Sequence, residues 1–191
     1  MVIFDYRRKI WKDVLDYISK IKGRTLDVGC GNGGVTKLIR NSVGVDVSFE
    51  LLEKGEGKFV QGKCEALPFK NKSFDNVLLI AVLHNLKEKN RVKCLKEINK
   101  VLKSKGKLFL SVWYKDHWVV KRKGKKLIRV FEKLKYGDNY LGWGKKEKRY
   151  YYFFKKKELE SLLTSSGFKI KKFVKSGDNY FVSLIKGPAE I

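Results

Sequence analysis

Glycines and carboxylates at regular spacing mark the part of the sequence most suited to chemistry. Asp27 is followed by Val28-Gly29-Cys30-Gly31-Asn32-Gly33, and a second carboxylate, Asp46, comes 19 residues after Asp27. Glycine lets the main chain approach a ligand closely, because no side chain holds the ligand away. A carboxylate at the position of Asp46 can accept two hydrogen bonds from a ribose diol. The pattern therefore predicts a nucleoside-binding turn.

Each of these two signals has an alternative interpretation when it is taken alone. A glycine-rich turn after a strand also suits a dinucleotide, and Asp46 could be a simple helix cap. The acid Asp27 decides between the ligands, since a pyrophosphate needs no acid at this point, whereas the ammonium of a methionine moiety does. Together the residues favour a sulfonium-bearing nucleoside, S-adenosylmethionine, over a dinucleotide.

Strands that alternate with helices are needed to position these residues. Apolar runs predict strands, and apolar residues at helical spacing predict helices. This alternation predicts an α/β fold with a doubly wound, mostly parallel sheet and helices on both faces, whose ligand lies at the carboxyl ends of the strands. The predicted strands are 25–28, 43–47, 59–61, 74–82, 107–113 and a C-terminal antiparallel hairpin of 168–174 and 179–185. The predicted helices are 7–21, one through Val35, Leu38 and Ile39, one from Ser48, 87–103 and 155–166.

Composition excludes several classes of protein. The 191 residues include 44 Lys or Arg and 20 Asp or Glu, a net charge of +24, yet 43% are hydrophobic, which excludes a disordered polycation. No apolar run approaches the roughly 20 residues of a membrane span, and charges come too early for a secretory signal, so we expect a cytoplasmic protein without membrane contact. Cys30, Cys64 and Cys94 are widely spaced, so neither disulfides nor a metal site is expected.

The positive charge is concentrated in residues 115–157, which hold 16 Lys or Arg, 4 Asp or Glu and ten aromatic residues. Cations neutralise phosphates and flat rings stack on unpaired bases, so this pattern favours single-stranded or looped RNA. The alternative is that the lysines form a solvated face over core aromatics. We predict one domain, 1–191, with a basic, aromatic-rich insertion at about 115–154.

Several motifs resemble those of class I S-adenosylmethionine-dependent methyltransferases. These are Leu26 to Gly33, Val45-Asp46-Val47-Ser48, Glu65-Ala66-Leu67-Pro68-Phe69, and Ser73-Phe74-Asp75 through His84. The resemblance covers residues 24–113 and implies a Rossmann-like, seven-stranded sheet. Lys63 stands where this superfamily often has an acid for the adenine amino group, so the expected partners of the adenine amino group are main-chain groups around Cys64 and Glu65. The implied cofactor contacts are Asp27, Gly29, Cys30, Gly31, Asn32, Asp46, Val47, Lys63, Cys64, Glu65 and Ala81.

A narrower resemblance joins Ile80 to Asn85, Glu97 to Leu102, Leu108 to Trp113 and Arg149 to Phe154. These segments are similar to the tRNA methyltransferases that esterify 5-carboxymethyluridine at the wobble position. The resemblance implies a tRNA anticodon loop as partner, and a small zinc-binding activator subunit. It places substrate contacts at Arg7 or Arg8, His84, Arg149 and Tyr150. Two departures from that family are Asn85 and Tyr152, which replace histidines.

The residues also restrict the reaction. The strand ending near His84 lacks the Asp/Asn-Pro-Pro-aromatic loop that grips an exocyclic amine, and no Pro-Cys pair is placed to attack a pyrimidine ring. A carboxylate acceptor is already ionised at neutral pH and needs no general base, only cations that orient it. We expect Arg149, flanked by Tyr150, to clamp that carboxylate.

Other candidate residues have two interpretations each. His84 either contacts the base or ribose of a flipped nucleotide or binds a loop carbonyl. Trp113 either walls the acceptor pocket or packs in the core, and the basic residues near the N-terminus either grip phosphates or form a solvated helix end. Candidate RNA contacts are Arg7, Arg8, Lys9, Trp113, Arg122 and Trp143. Two other functions stay open: a small-molecule methyltransferase, and a noncatalytic RNA-binding protein on the same fold.

Overall fold

The computed structural model describes residues 10–114, 118–123, 126–131, 137–143 and 147–188, with backbone only for 118–123, 126–131, 142, 143 and 147. The helices are α1 (Lys12–Ile18), α2 (Phe49–Glu53), α3 (Glu88–Val101) and α4 (Lys156–Ser165). The strands are β1 (Thr25–Val28), β2 (Ser42–Asp46), β3 (Phe59–Gln61), β4 (Phe74–Ile80), β5 (Leu102–Trp113), β6 (Trp118–Lys123), β7 (Lys126–Phe131), β8 (Gly137–Trp143), β9 (Glu147–Phe153), β10 (Phe168–Ser176) and β11 (Asn179–Lys186).

Seven strands form the central sheet in the order β10-β11-β5-β4-β1-β2-β3. The pairs β1–β2, β2–β3, β1–β4 and β4–β5 are parallel, whereas β11 runs antiparallel to β5 and to β10. This confirms the predicted doubly wound sheet with its C-terminal antiparallel hairpin. The chain moves outward from β1 through β2 to β3 and then returns to the other side of β1 as β4. The strand order therefore reverses between β1 and β4, where ligands bind in sheets of this type.

Apolar side chains cover both faces of the sheet because successive strand residues point to opposite sides. On one face, residues of β4 and β5 pack against α3 and α4, for example Leu79 against the layer that contains Leu95 and Leu159. On the other face, Val14 of α1 packs with Leu78, Phe109 and Phe181. In the described part of the chain, no helix is long and apolar enough to cross a membrane.

The predicted helix after the glycine turn is wrong. Only one short 3-10 turn forms there, at Thr36–Leu38, and Leu38 is 50% exposed. The Ser42 hydroxyl lies 2.7 Å from the carbonyl oxygens of both Thr36 and Ile39, which a longer helix would have used for its own hydrogen bonds. Ile39 is already extended, and after a turn at residues 40–41 the chain enters β2 at Ser42.

The basic insertion contains two antiparallel hairpins that the sequence analysis did not assign. One pairs β6 with β7 and the other pairs β8 with β9. Strand β9 packs against β5 and against a second 3-10 turn, Leu83–Asn85, that follows β4. This packing places the second hairpin at the carboxyl end of β4.

Candidate functional site

The turn after β1 is built around three glycines in the left-handed region. Gly29, Gly31 and Gly33 have φ angles of 71°, 57° and 76°, which favour glycine. The N–H groups of Gly29 and Cys30 donate to the Val45 carbonyl oxygen, at 2.7 and 3.2 Å. A Cβ on Gly29 would lie 2.3 Å from Val82 Cγ2, whereas a Cβ on Gly31 would meet no atom within 4 Å. Gly29 thus permits close packing against Val82, just after β4, and Gly31 faces open space.

Asp46 at the end of β2 is tied to the glycine turn. Its Oδ2 accepts the Gly31 N–H at 2.8 Å, and its Oδ1 accepts the Ser48 N–H at 2.9 Å. A carboxylate offers about four lone-pair positions, so two remain for the hydroxyls of a ribose. Val47, the next residue, is 60% exposed and presents an apolar surface beside this carboxylate. Asp46 therefore has the free acceptor positions that the predicted ribose contact needs.

Asp27 is the buried acid of the turn, only 3% exposed. Its Oδ2 accepts the Thr36 hydroxyl at 2.7 Å. Burial raises the pKa of Asp27 to about 6, with the Thr36 hydrogen bonds opposing this rise and the Asp46 charge adding to it. A cationic group placed here would recover part of the desolvation cost of the carboxylate. The geometry therefore fits the predicted ammonium partner.

Cys30 lies between these two acids. Burial raises the pKa of its thiol, and the charges of Asp27 and Asp46 raise it further. The thiol is therefore neutral at physiological pH and is not a nucleophile.

The segment of residues 63–66 follows β3 beside the end of β2. The Gly62 N–H donates to the Asp46 carbonyl oxygen at 3.0 Å, and Lys63 forms a bridge with Ala66. Cys64 is buried, and its thiol donates to Glu65 Oε2 at 3.2 Å. Because the Cys64 side chain is buried, this residue can offer a base only its main-chain groups.

Ala81 has a left-handed backbone at the carboxyl end of β4, with a φ angle of 58°. Its N–H donates to the carbonyl and hydroxyl oxygens of Ser111, both at 3.1 Å. Its carbonyl oxygen accepts the Asn85 side-chain amide at 2.9 Å. Strained residues held in this way cluster at functional sites. The sequence did not reveal Ser111 and Asn85 as the residues that hold this turn.

His84 is buried, with 1% of its surface exposed. Its Nδ1 accepts the Trp113 N–H at 3.3 Å, and its ring stacks on Trp113 and Tyr151 at centroid distances of 4.9 and 5.9 Å. This arrangement contradicts the predicted direct contact with a flipped nucleotide, because hairpin β8–β9 covers the ring. His84 therefore takes a structural position, with the Trp113 N–H as the hydrogen-bond partner of its Nδ1.

The structure separates Arg149 from Tyr150. They are consecutive in β9, so their side chains leave opposite faces of the hairpin. Tyr151 and Phe153 share the parity of Arg149 and pack with Trp113 and Leu141. Tyr150 faces Tyr140 and Asp138 on the other side, and its hydroxyl donates to Asp138 Oδ1. Tyr150 therefore does not flank Arg149 on the same face, and only Arg149 lies on the His84 side of the hairpin.

The structure describes only some of the remaining residues that were predicted to contact RNA. Arg7, Arg8 and Lys9 lie outside the described residues. Arg122 and Trp143 lie in β6 and β8, but their side chains belong to the part that is not described. Trp113 ends β5, and its ring stacks on Tyr151 with the ring centroids 4.7 Å apart. Trp113 is therefore held in an aromatic cluster at the carboxyl end of β5.

Comparison with known proteins identifies the family. A sequence profile of the methyltransferase domain matches residues 26–110. A methyltransferase-like protein of Encephalitozoon cuniculi is 34% identical over 194 residues, covering 94% of this chain and 88% of that protein. The chain belongs to the class I S-adenosylmethionine-dependent methyltransferases.

Two further comparisons place this methyltransferase. A solved S-adenosylmethionine-dependent methyltransferase from Mesorhizobium loti superposes with a TM-score of 0.73 at 16% identity, covering 92% of this chain and 96% of the other, which shows the shared fold. The tRNA (carboxymethyluridine(34)-5-O)-methyltransferase of Xenopus tropicalis is 34% identical over 130 residues. That match covers 63% of this chain but only 20% of the longer Xenopus protein.

S-adenosylmethionine is the cofactor of this methyltransferase, and the residues present fit it. The open space at Gly31 leaves room for the cofactor beside the glycine turn. The free lone pairs of Asp46 suit its ribose, and the buried acid Asp27 suits its ammonium group. When bound, the cofactor supplies a methyl group activated by a sulfonium. Sequence reasoning missed Thr36, which holds Asp27, because a lone threonine nine residues away carries no motif.

Proposed function

We propose that this methyltransferase acts on tRNA and esterifies the carboxylate of 5-carboxymethyluridine at the wobble position. The observation that carries the proposal is the packing of the basic, aromatic hairpin β8–β9 on the end of the sheet that bears the glycine turn. Val82 contacts Gly29, and two residues later His84 stacks on Trp113 and Tyr151. The likeness to a Xenopus tropicalis enzyme named for this reaction supports the same assignment.

The chemistry needs little beyond positioning. A carboxylate oxygen of the acceptor would attack the methyl carbon of the bound donor, the new C–O bond would form as the C–S bond breaks, and the C–S bonding pair would leave with the thioether sulfur. One negative and one positive charge are consumed, so no proton has to move. Much of the acceleration can come from holding the two atoms in line.

Arg149 is the residue that we assign to the acceptor carboxylate. Its side chain is exposed, and it lies on the face of β9 that carries Tyr151 against His84 and Trp113. A guanidinium can form two parallel hydrogen bonds to a carboxylate and orient it without forming a covalent bond. Tyr150 has no part in this contact because it faces the other side.

One assay tests the proposal and separates it from the two alternatives. Purified protein is incubated with methyl-labelled S-adenosylmethionine and bulk tRNA, and the labelled tRNA is then treated with mild alkali. Label that is released by alkali supports an ester. Label that resists alkali points to another RNA position, and label found only in small metabolites favours a small-molecule enzyme. No transfer by protein that binds the cofactor would favour a noncatalytic RNA-binding role.

The assay is run with and without a coexpressed small zinc-binding subunit, since the family resemblance implies such an activator. We propose that the subunit raises soluble yield or turnover. Equal yield and turnover in both preparations would contradict that part of the proposal.

A further inference from the structure

A cavity of about 770 Å³ lies behind hairpin β8–β9, on the face opposite His84. It is lined by the start of α3, by even-numbered residues of the hairpin and by α4, and it opens to solvent. The residues assigned above to cofactor binding and to the acceptor carboxylate do not line it. Its volume is within the range of about 300–1,000 Å³ that is typical of ligand pockets.

Arg91 is the central polar residue of this cavity. It is only 4% exposed, and its guanidinium stacks on Tyr152 with the Cζ atom 3.7 Å from the ring centroid. Among the residues that the structure describes, none accepts a hydrogen bond from its Nη1. An unpaired buried guanidinium N–H is costly, so the site is one that a ligand acceptor would complete.

Carboxylates line the same cavity, which is unusual for a chain with a net charge of +24. Asp138 accepts the Tyr150 hydroxyl, and Glu158 accepts the Tyr152 hydroxyl. Burial, together with the hydrogen bonds to these carboxylates, raises the pKa of Tyr150 and of Tyr152 to about 12. The tyrosines are therefore protonated donors, and each carboxylate keeps lone pairs for a further N–H donor.

An exposed aromatic ring provides a stacking surface at the cavity edge. Tyr140 is 58% exposed and meets Tyr150 edge to face, with ring centroids 5.6 Å apart. Base stacking on such rings tolerates any base, whereas carboxylate acceptors favour bases that carry an exocyclic amino group. Uracil has no such group.

We infer that this cavity binds a second nucleotide of the RNA, one with an amino-bearing base, next to the uridine that is methylated. The base stacks on Tyr140, its amino group donates to Asp138 or Glu158, and its phosphate lies near Lys87 and Arg91. The hairpin would then be held between two nucleotides of one loop, with the acceptor on the Arg149 face. The inference rests on the proposed function for the identity of the RNA, but the pocket itself can be tested without methyl transfer.

The test uses the whole protein and four-nucleotide RNAs of adenosine, cytidine or uridine, each with the same fluorescent label, and measures binding by anisotropy. We expect the adenosine or the cytidine oligomer to bind about tenfold more tightly than the uridine oligomer. Asp138→Asn should reduce that preference, because the asparagine amide offers one acceptor oxygen and adds a donor. Tyr140→Ala should reduce the affinity for the preferred oligomer about fivefold. Asp16→Asn, an equal charge change on the exposed face of α1, is the matched control and should leave the preference unchanged.

Equal affinity of the protein for the three oligomers would overturn the inference in favour of phosphate binding without base preference. The same conclusion would follow if Asp138→Asn reduced the affinity for all three oligomers by the same factor. Thermal unfolding of each variant identifies any change that comes from misfolding. In the tRNA methylation assay, Asp138→Asn should raise KM for tRNA and leave kcat unchanged. If no tRNA is methylated, the proposed function fails while the oligomer measurements still decide about the pocket.

Discussion

Asp27 shows how one buried side chain can make cofactor binding depend on pH. The carboxyl group is charged only above its pKa of about 6, and the charged form is the one that attracts an ammonium. The pKa of this carboxyl is near 3.8 in the unfolded chain and about 6 in the folded protein. Between these two pH values the folded state holds a proton that the unfolded state has lost, so the stability of the fold decreases as pH rises through that interval.

We predict that affinity for S-adenosylhomocysteine falls below pH 6. One proton has to leave Asp27 for binding, so the dissociation constant should be about tenfold higher at pH 5 than at pH 7. Isothermal titration calorimetry across this range measures the effect. Asp27→Asn should bind weakly at all pH values with a flat profile, while a variant that keeps the full pH dependence would show that another group is responsible.

Ala81 carries a different cost, since its backbone is left-handed and its side chain opposes that conformation. Three hydrogen bonds hold it there: its N–H donates to the carbonyl and hydroxyl oxygens of Ser111, and its carbonyl oxygen accepts the Asn85 side-chain amide. The strain is thus compensated by neighbours on β5 and in the following turn, which position the segment that leads from the cofactor to the hairpin.

We predict that Ala81→Gly stabilises the protein by about 0.5–1 kcal/mol, because glycine relieves the strain and loses only part of this gain to chain entropy. Chemical denaturation measures the change. Ala66→Gly, at an exposed position with no positive φ, is the matched control and should destabilise or have no effect. A loss of stability in Ala81→Gly would mean that packing of the methyl group outweighs the backbone term.

At the scale of elements, hairpin β8–β9 separates two sets of side chains. The alternation of a strand sends Arg149, Tyr151 and Phe153 to the side of His84, and Tyr150 and Tyr152 to the side of Arg91. One strand can therefore serve an acceptor site and a second pocket at once, with no residue shared between them.

We predict different kinetic effects for substitutions on the two faces of β9. Arg149→Lys should lower kcat for tRNA esterification at least tenfold while leaving S-adenosylhomocysteine affinity unchanged, because lysine cannot form the bidentate contact. Tyr150→Phe should raise KM for tRNA and retain kcat. The exposed Arg40→Lys is the matched control and should behave as wild type. Unchanged turnover in Arg149→Lys would remove this residue from the acceptor site.

For the whole molecule, the net charge of +24 has opposite effects on folding and on binding. Mutual repulsion between like charges disfavours the compact state, and salt screens it. The same charge favours a polyanion, and that attraction weakens with salt because bound counterions are released.

We predict that raising KCl from 50 to 200 mM increases Tm but weakens tRNA binding by roughly a thousandfold, as expected for about six phosphate contacts. Differential scanning fluorimetry and filter binding measure the two effects. S-adenosylhomocysteine affinity, which involves no phosphate, serves as the internal control. A change in tRNA affinity of less than tenfold would show that the positive charge serves another purpose than RNA contact.

The sequence alone determined the sheet, the glycine turn and the two acids Asp27 and Asp46. These features depend on local patterns: runs of apolar residues, glycines that permit positive φ, and carboxylates at strand ends. The sequence could not exclude a helix at residues 35–39, because Ser42, which takes the carbonyl oxygens of Thr36 and Ile39, acts through contacts that no periodicity shows.

Only the tertiary structure decided which side chains meet. His84 is buried because Trp113 and Tyr151, from distant parts of the chain, stack on it. Arg149 and Tyr150 are neighbours in sequence but lie on opposite faces, and Arg91 shares a cavity with residues about fifty to seventy positions away. The physical reason is that strand parity and long-range packing, rather than residue type, set the direction of each side chain.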